Sequence, residues 1–194
     1  IRKIMSTALD FNNADYDFVH LPGSWARERH IERVPLIKGR QGVDSKRGAS
    51  GHRHNPFIML AGKDATEDFG EAYGISLVYS GNFAIDIETD YMDCTRLVMG
   101  INPIDFNWYL EPGEEFQAPE AVMAYSPNGL GGMSRIYHKL YRNNLCRGPW
   151  KNKKRPLLIN NWEGTHFAFN EQKLLDIARV AKEIGLDLFV LDDG

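Results

Sequence analysis

The apolar residues of this chain change period part-way along it, and that change limits what it can fold into. Through Tyr73, Ile75, Leu77 and Tyr79, and again through Phe83, Ile85 and Ile87, they alternate one in two with small or polar residues. Strands buried on one face require that spacing. From Ser134 the interval becomes three and four, through Ile136, Tyr137, Leu140, Tyr141 and Leu145, which is the face of an amphipathic helix. Past Pro156 the pattern changes once more. A short, wholly apolar run, Leu157–Ile159, is followed by a helical stripe of Leu174, Ile177, Ala178, Ala181 and Ile184, and then by the apolar run Leu188–Leu191. Such runs belong to parallel strands buried on both faces. A single all-β or all-α fold cannot hold all three textures, so the sequence predicts a multidomain chain, β first and α/β second.

Within the β region, read from about Tyr16 to Tyr125, the turn signal Ser80-Gly81-Asn82 between two alternating segments predicts a β-hairpin, with one face buried and the other in solvent. Thr95–Ile101 and Glu115–Tyr125 read as further strands, the second entered through the turn Glu111–Glu114. Strands at this spacing suggest a sandwich. Gly129–Gly132 reads as a flexible hinge. Arg147–Pro156 carries five basic residues and two prolines and cannot continue a helix, so it reads as a solvated linker. The expected divisions are a sandwich over 1–128, a helical linker over 129–155 and the start of an α/β domain over 156–194. The chain opens at Ile1 without methionine and stops just after an apolar strand, which predicts a truncated segment of a larger protein.

Lys plus Arg number 23 against 26 Asp plus Glu, a net charge of −3. That balance makes no broad positive field, so no nucleic-acid partner is expected. No apolar run approaches the ~20 residues that span a bilayer, so no membrane partner is expected either. Cys94 and Cys146 form no CxxC pair and read as reduced thiols of a cytoplasmic protein. His52-Arg53-His54 sets two imidazoles on one side of a strand, but no third ligand is evident, so structural histidines are expected rather than zinc. Phosphate-cradling, dinucleotide and GxSxG motifs are absent, and no cofactor or metal is expected.

The α/β segment is where chemistry concentrates. Asn170 is placed to cap the helix and Gly185 to close it in a left-handed conformation. A strand, a crossover helix and a parallel strand open either a barrel or a doubly wound sheet, and ligands bind at the carboxyl ends of such strands. Two polar clusters fall there, Asn160-Asn161-Trp162-Glu163 and Asp192-Asp193-Gly194. The candidates are therefore Trp162, Asp192 and Asp193, with the asparagines behind them. Adjacent residues of a strand point to opposite sides, so the two aspartates are badly placed to straddle one scissile bond. They suit accepting hydrogen bonds from ligand hydroxyls, or holding a metal. Against this stand turn-forming roles for the acids and simple core packing for the indole, which otherwise can stack on the C–H face of a sugar. A magnesium-dependent phosphotransfer domain also puts acids after a buried strand, and a non-catalytic carbohydrate-binding sandwich would explain the β region.

Leu158-Ile-Asn-Asn-Trp-Glu163, Phe167-Ala-Phe-Asn-Glu171 and Leu188-Phe-Val-Leu-Asp-Asp-Gly194 resemble the opening of the catalytic barrel in family-36 glycoside hydrolases, the bacterial and fungal α-galactosidases. Gly23-Ser-Trp-Ala-Arg-Glu-Arg-His30, Asp44–Ser50, His54–Phe57, Tyr79–Asn82 and Met99–Asn102 resemble that family's amino-terminal β-supersandwich. The resemblance implies a supersandwich followed by the first β-α-β unit of a (β/α)8 barrel. It implies an enzyme that removes α-linked galactose from melibiose, raffinose and similar oligosaccharides with retention, without metal, and commonly as a homotetramer. Asp192 and Asp193 would bind galactose hydroxyls, Trp162 would lie beside the galactose, and Trp25 would reach an active site through the oligomer. The nucleophile and the acid/base match no residue here and belong downstream, so the isolated segment is expected to be inactive. Gly164 and His166 stand where the family more often has alanine and an aromatic.

Overall fold

Alternation decides which side chains are buried before it decides which strands are neighbours, and the β region shows the difference. A computed structural model describes residues 1–193, so Gly194, the last residue of the acidic motif, lies outside the described residues. The chain divides into two compact units, Ile1–Tyr141 and the residues from Arg142 onward.

The first unit holds two antiparallel sheets. β1 (Ile4–Phe11), β4 (Gly39–Asp44), β7 (Phe83–Thr89) and β8 (Thr95–Ile101) form one, in the order β1-β8-β7-β4. β2 (Tyr16–Pro22), β3 (Glu32–Pro35), β5 (His54–Gly62), β6 (Ala72–Val78) and β9 (Glu120–Ser126) form the other, in the order β3-β2-β5-β6-β9. Their shared core takes Phe18, Ile58 and Ile75 from the larger sheet and Phe83, Ile85 and Leu97 from the smaller. This is the layered antiparallel architecture that the strand spacing predicts.

The expected hairpin is not there. β6 pairs with β5 and β9, whereas β7 pairs with β4 and β8, so Tyr79–Asn82 carries the chain from one sheet to the other. Both strands bury alternate residues in the same core from opposite sides, a pattern that a hairpin would produce equally well. The hydrogen bonds of the connection settle the matter: Ser50 N donates to Ser80 O at 2.8 Å and Gly48 N to Asn82 Oδ1 at 2.8 Å, tying it to a different loop. The hairpin of this region is β7–β8, turned through Asp90, whose carboxylate accepts from Met92 N and Cys94 N. β1, upstream of the region in which strands were expected, pairs with β8 through a register shift between Met5 and Thr7. That irregularity breaks the alternation by which a strand is recognised.

The outer face of β6 does not meet solvent as expected. α1 (Gly129–Leu140) lies across it, and an added Cβ on Gly74 would stand 2.6 Å from Met133 Sδ and 2.7 Å from a Tyr137 ring carbon. Val19, Met59, Ala72, Met133 and Tyr137 form this second core. The helix begins at Gly129, inside the segment read as a hinge, and a π-helical turn follows over Tyr141–Leu145. Tertiary contacts override the low helix propensity of three glycines. The Gly129, Leu130 and Gly131 amides, which a helix cannot satisfy internally, donate to the carbonyls of Gly70, Thr66 and Glu67 at 2.8–2.9 Å.

In the second unit β10 (Leu158–Asn160) and β11 (Leu188–Val190) pair in parallel across α3 (Glu171–Glu183), with a short turn of helix, α2 (Trp162–Thr165), after β10. Asn170 caps α3 as expected, its side chain accepting from Lys173 N at 3.0 Å. Gly185 closes it at φ +84°, and Leu186 N donates back to Ala181 O at 2.9 Å. The strands were expected to be buried on both faces. Leu158 and Leu188 are instead exposed, because among the described residues the two strands have only each other as sheet neighbours. No helix of the described residues is long and apolar enough to cross a membrane.

Candidate functional site

Parallel pairing fixes which strand ends lie together. β10 and β11 match Leu158 with Leu188 and Asn160 with Val190, so the segments that follow leave the sheet at one edge. Asn161 N donates to Val190 O at 3.3 Å, and Asn161 Oδ1 accepts from Asp192 N at 2.9 Å. A side chain thus continues the ladder one step past its last backbone bond. Asn161 is only 2% exposed, and its other amide atom donates to Thr165 Oγ1 at 2.9 Å. Asn160 sits on the open side of this frame. Its Nδ2 donates to Asp192 Oδ2 at 2.8 Å and its Oδ1 accepts from Trp162 N at 2.8 Å.

Trp162, Asp192 and Asp193 are therefore brought to one edge of the two-stranded sheet. The Trp162 ring is half-buried and held edge-on by His166 and Phe167, with centroids 5.0 and 4.9 Å away and planes at 84° to it. His166 takes an edge-on place that an aromatic ring could fill. Asp192 is half-buried, and Asp193 is exposed in a left-handed conformation at φ +48°. Thr165 went unremarked in the sequence, although its spacing of four from Asn161 places both on one side of a helical turn.

Trp25 belongs to the other unit. It rides a turn closed by reciprocal backbone bonds between Ser24 and Arg27 at 3.2 and 3.0 Å, with Ala26 at φ +62°. Gly23 N donates to Arg53 O at 3.1 Å, anchoring the turn to the segment before β5. The indole is 79% exposed, so core packing does not explain it. Three of the four remaining sandwich motifs converge on a polar knot. Asn102, buried, donates from Nδ2 to Ser45 O at 3.0 Å and from its backbone to Asn82 O at 2.9 Å, and Ser45 Oγ donates to Ala49 O at 2.6 Å. Met99–Asn102, Tyr79–Asn82 and Asp44–Ser50 are thus parts of one joint.

Displaced proton affinities lie in the first unit. Burial first, then the neighbouring Tyr16 and Glu71, push the Tyr73 phenol up to about 12. Burial lowers the His20 imidazole, with Glu32 opposing and His54 assisting. His20 stacks on Phe18 at 4.8 Å and stands 6.3 Å from His54, so the imidazole pair is His20–His54 rather than His52–His54. Among the described residues no three His, Cys, Asp or Glu side chains gather as a metal site would need. Cys94 and Cys146 are free thiols.

Residues 1–111 match the family model "Glycosyl hydrolase family 36 N-terminal domain" and residues 115–194 match "Melibiase". The chain is 57% identical to alpha-galactosidase AgaA of Geobacillus stearothermophilus over 99% of its own length and 26% of that relative's. It is 46% identical to probable alpha-galactosidase C of Aspergillus terreus over its full length and 26% of that relative's. The crystal structure of the Geobacillus enzyme superimposes over 100% of this chain and 27% of its own with a TM-score of 0.96, and a variant of that enzyme has been solved in complex with raffinose at the same score and 56% identity. The chain spans about a quarter of the length of these relatives. With a family model covering more than half of its residues, this chain belongs to glycosyl hydrolase family 36.

Proposed function

We propose that these residues form the sandwich and barrel opening of a retaining α-galactosidase that acts on raffinose- and melibiose-type oligosaccharides. The observation that carries the reading is the strand-end edge of the second unit, where one amide joins the Trp162 backbone to the Asp192 carboxylate. A parallel pair with a crossover helix is the repeating element of a (β/α)8 barrel, whose active face is at this end of its strands. Exposed leucines on β10 and β11 support further barrel strands and helices as their partners. In this division 1–128 serve as sandwich, 129–155 as the helical connection and 156 onward as the catalytic domain.

Asp192 and Asp193 hold galactose through its hydroxyls, and Trp162 offers the sugar an apolar wall. Bonds from hydroxyls to an ionised carboxylate contribute about 1.5–3 kcal/mol each once the site is closed to water. An epimer that fails to supply a hydroxyl leaves a buried carboxylate oxygen unpaired, which gives the site its selectivity. Carboxylates elsewhere in the enzyme perform the double displacement: one attacks the anomeric carbon, the other protonates the leaving oxygen and then activates water. Trp25 contributes a further sugar contact through a homotetramer, a role that its exposure on a braced turn supports. The enzyme works in the cytoplasm, without nucleic-acid or membrane partners and without metal or organic cofactor.

The test is Asp193→Asn in the full-length enzyme. A loss of kcat/KM toward a galactoside of tenfold or more, with an unchanged melting temperature, is the expected outcome; wild-type kcat/KM would remove the sugar-binding role.

A further inference from the structure

We infer that Asn160 is a positioning residue that sets the direction of the Asp192 carboxylate, an inference that rests on the galactoside reading of this site. Selecting one hydroxyl of a sugar requires a carboxylate whose oxygens point one way. The backbone of Asp192 is already fixed, since its N–H donates to Asn161 Oδ1 at 2.9 Å. Its side chain would still rotate. Asn160 Nδ2, donating to Asp192 Oδ2 at 2.8 Å, restrains that rotation and uses one oxygen, leaving the other for a ligand hydroxyl.

The residue type separates this role from a purely structural one. Asn160 Oδ1 also accepts from Trp162 N at 2.8 Å, a turn-forming bond to the residue two positions on. An aspartate or serine makes that bond as well as asparagine does. Asparagine divides the two tasks between separate atoms, Oδ1 accepting from the Trp162 N–H while Nδ2 reaches on to donate to the carboxylate; aspartate has no donor there, and serine has a single, shorter-reaching oxygen. Burial does not demand the second bond either, because Asn160 is exposed and its NH2 could be hydrated. Asn161 is the contrasting neighbour: buried and bonded to Thr165 as well as to Asp192 N, it belongs to the frame itself.

Asn160→Asp in the full-length enzyme isolates the donor function. It keeps the acceptor for Trp162 N and sets a carboxylate against that of Asp192. The expected result is a tenfold or larger fall in kcat/KM for raffinose, carried mainly by KM, with thermal unfolding close to that of the parent. Asn160→Ser, which keeps the turn bond but cannot reach Asp192, is expected to lose activity in the same direction and serves if the first variant fails to fold. The double variant Asn160→Asp/Asp192→Asn restores an amide–carboxylate pair with its polarity exchanged, so its loss is expected to be smaller than the product of the two single losses. Wild-type kinetics in both Asn160 variants, or strictly multiplicative losses in the double variant, would overturn the inference while Asp192→Asn alone remained damaging. A silent Asp192→Asn would instead remove the galactoside role of Asp192 itself, and the inference with it.

Discussion

The two units bury their apolar residues by different means. In the sandwich, Phe83, Ile85, Leu97 and Met99 are sealed within the described residues by two sheets that face each other. In the β-α-β unit the same kinds of side chain lie open: Leu158 is 51% exposed and Ile184, at the C-cap of α3, is 70% exposed. The lesson concerns where stability and chemistry reside. The sandwich carries its own core. In the unit with the candidate site the polar edge is held by hydrogen bonds although, among the described residues, its apolar faces lie open, so local geometry at Asn160, Asn161 and Asp192 is specified by short-range bonds rather than by a surrounding core.

The severest challenge to this contrast is activity. The 194 residues alone are expected to release no nitrophenol from a nitrophenyl galactoside, because the proposed reading puts the nucleophile and the acid/base elsewhere in the enzyme, and measurable turnover would break that reading. Stability comes next. Leu97→Ala should cost about 3 kcal/mol in denaturant unfolding, since a fully buried leucine leaves a cavity, whereas Leu158→Ala should change it by less than about 0.5 kcal/mol. Equal losses would show that both units share one cooperative core. The smallest effect is a pH dependence confined to the sandwich. Because burial lowers the His20 value in the folded state, the unfolded chain binds the proton more readily, so stability is full above about pH 6.5 and declines as pH falls from there through the lowered folded value. His20→Phe should flatten that slope in melting temperatures taken between pH 7.5 and 5; an unchanged slope would assign it to another group.

Much of the chain was legible because the decisive interactions were local. Asn170 and Gly185 marked the ends of α3, since a capping side chain and a left-handed closing residue act within one turn of the helix. Thr95–Ile101 was read to the residue, with Leu97, Met99 and Ile101 buried at every second position. What stayed hidden depended on partners distant in sequence. Nothing within Tyr73–Glu88 distinguishes a hairpin from a crossing between sheets; the pairing of β6 and β7 with distant strands, and the bonds to Gly48 and Ser50, do. Gly129–Gly132 looked like a hinge because the carbonyls that start α1 belong to residues 66–70. At the site, residue types and strand ends nominated Trp162, Asp192 and Asp193, but the division of labour between the two asparagines required knowing that Asn160 lies opposite Val190.

Asp193 carries a consequence of its own. At φ +48° a side chain beyond hydrogen is disfavoured, by the order of 1 kcal/mol, and glycine would relax there. A library screened for heat tolerance would therefore enrich Asp193→Gly, while, on the galactose-binding role proposed above, one screened for growth on raffinose would discard it. On that role, directed evolution toward heat tolerance should keep the codon out of the pool, because the sturdier allele would lack the carboxylate proposed to hold galactose.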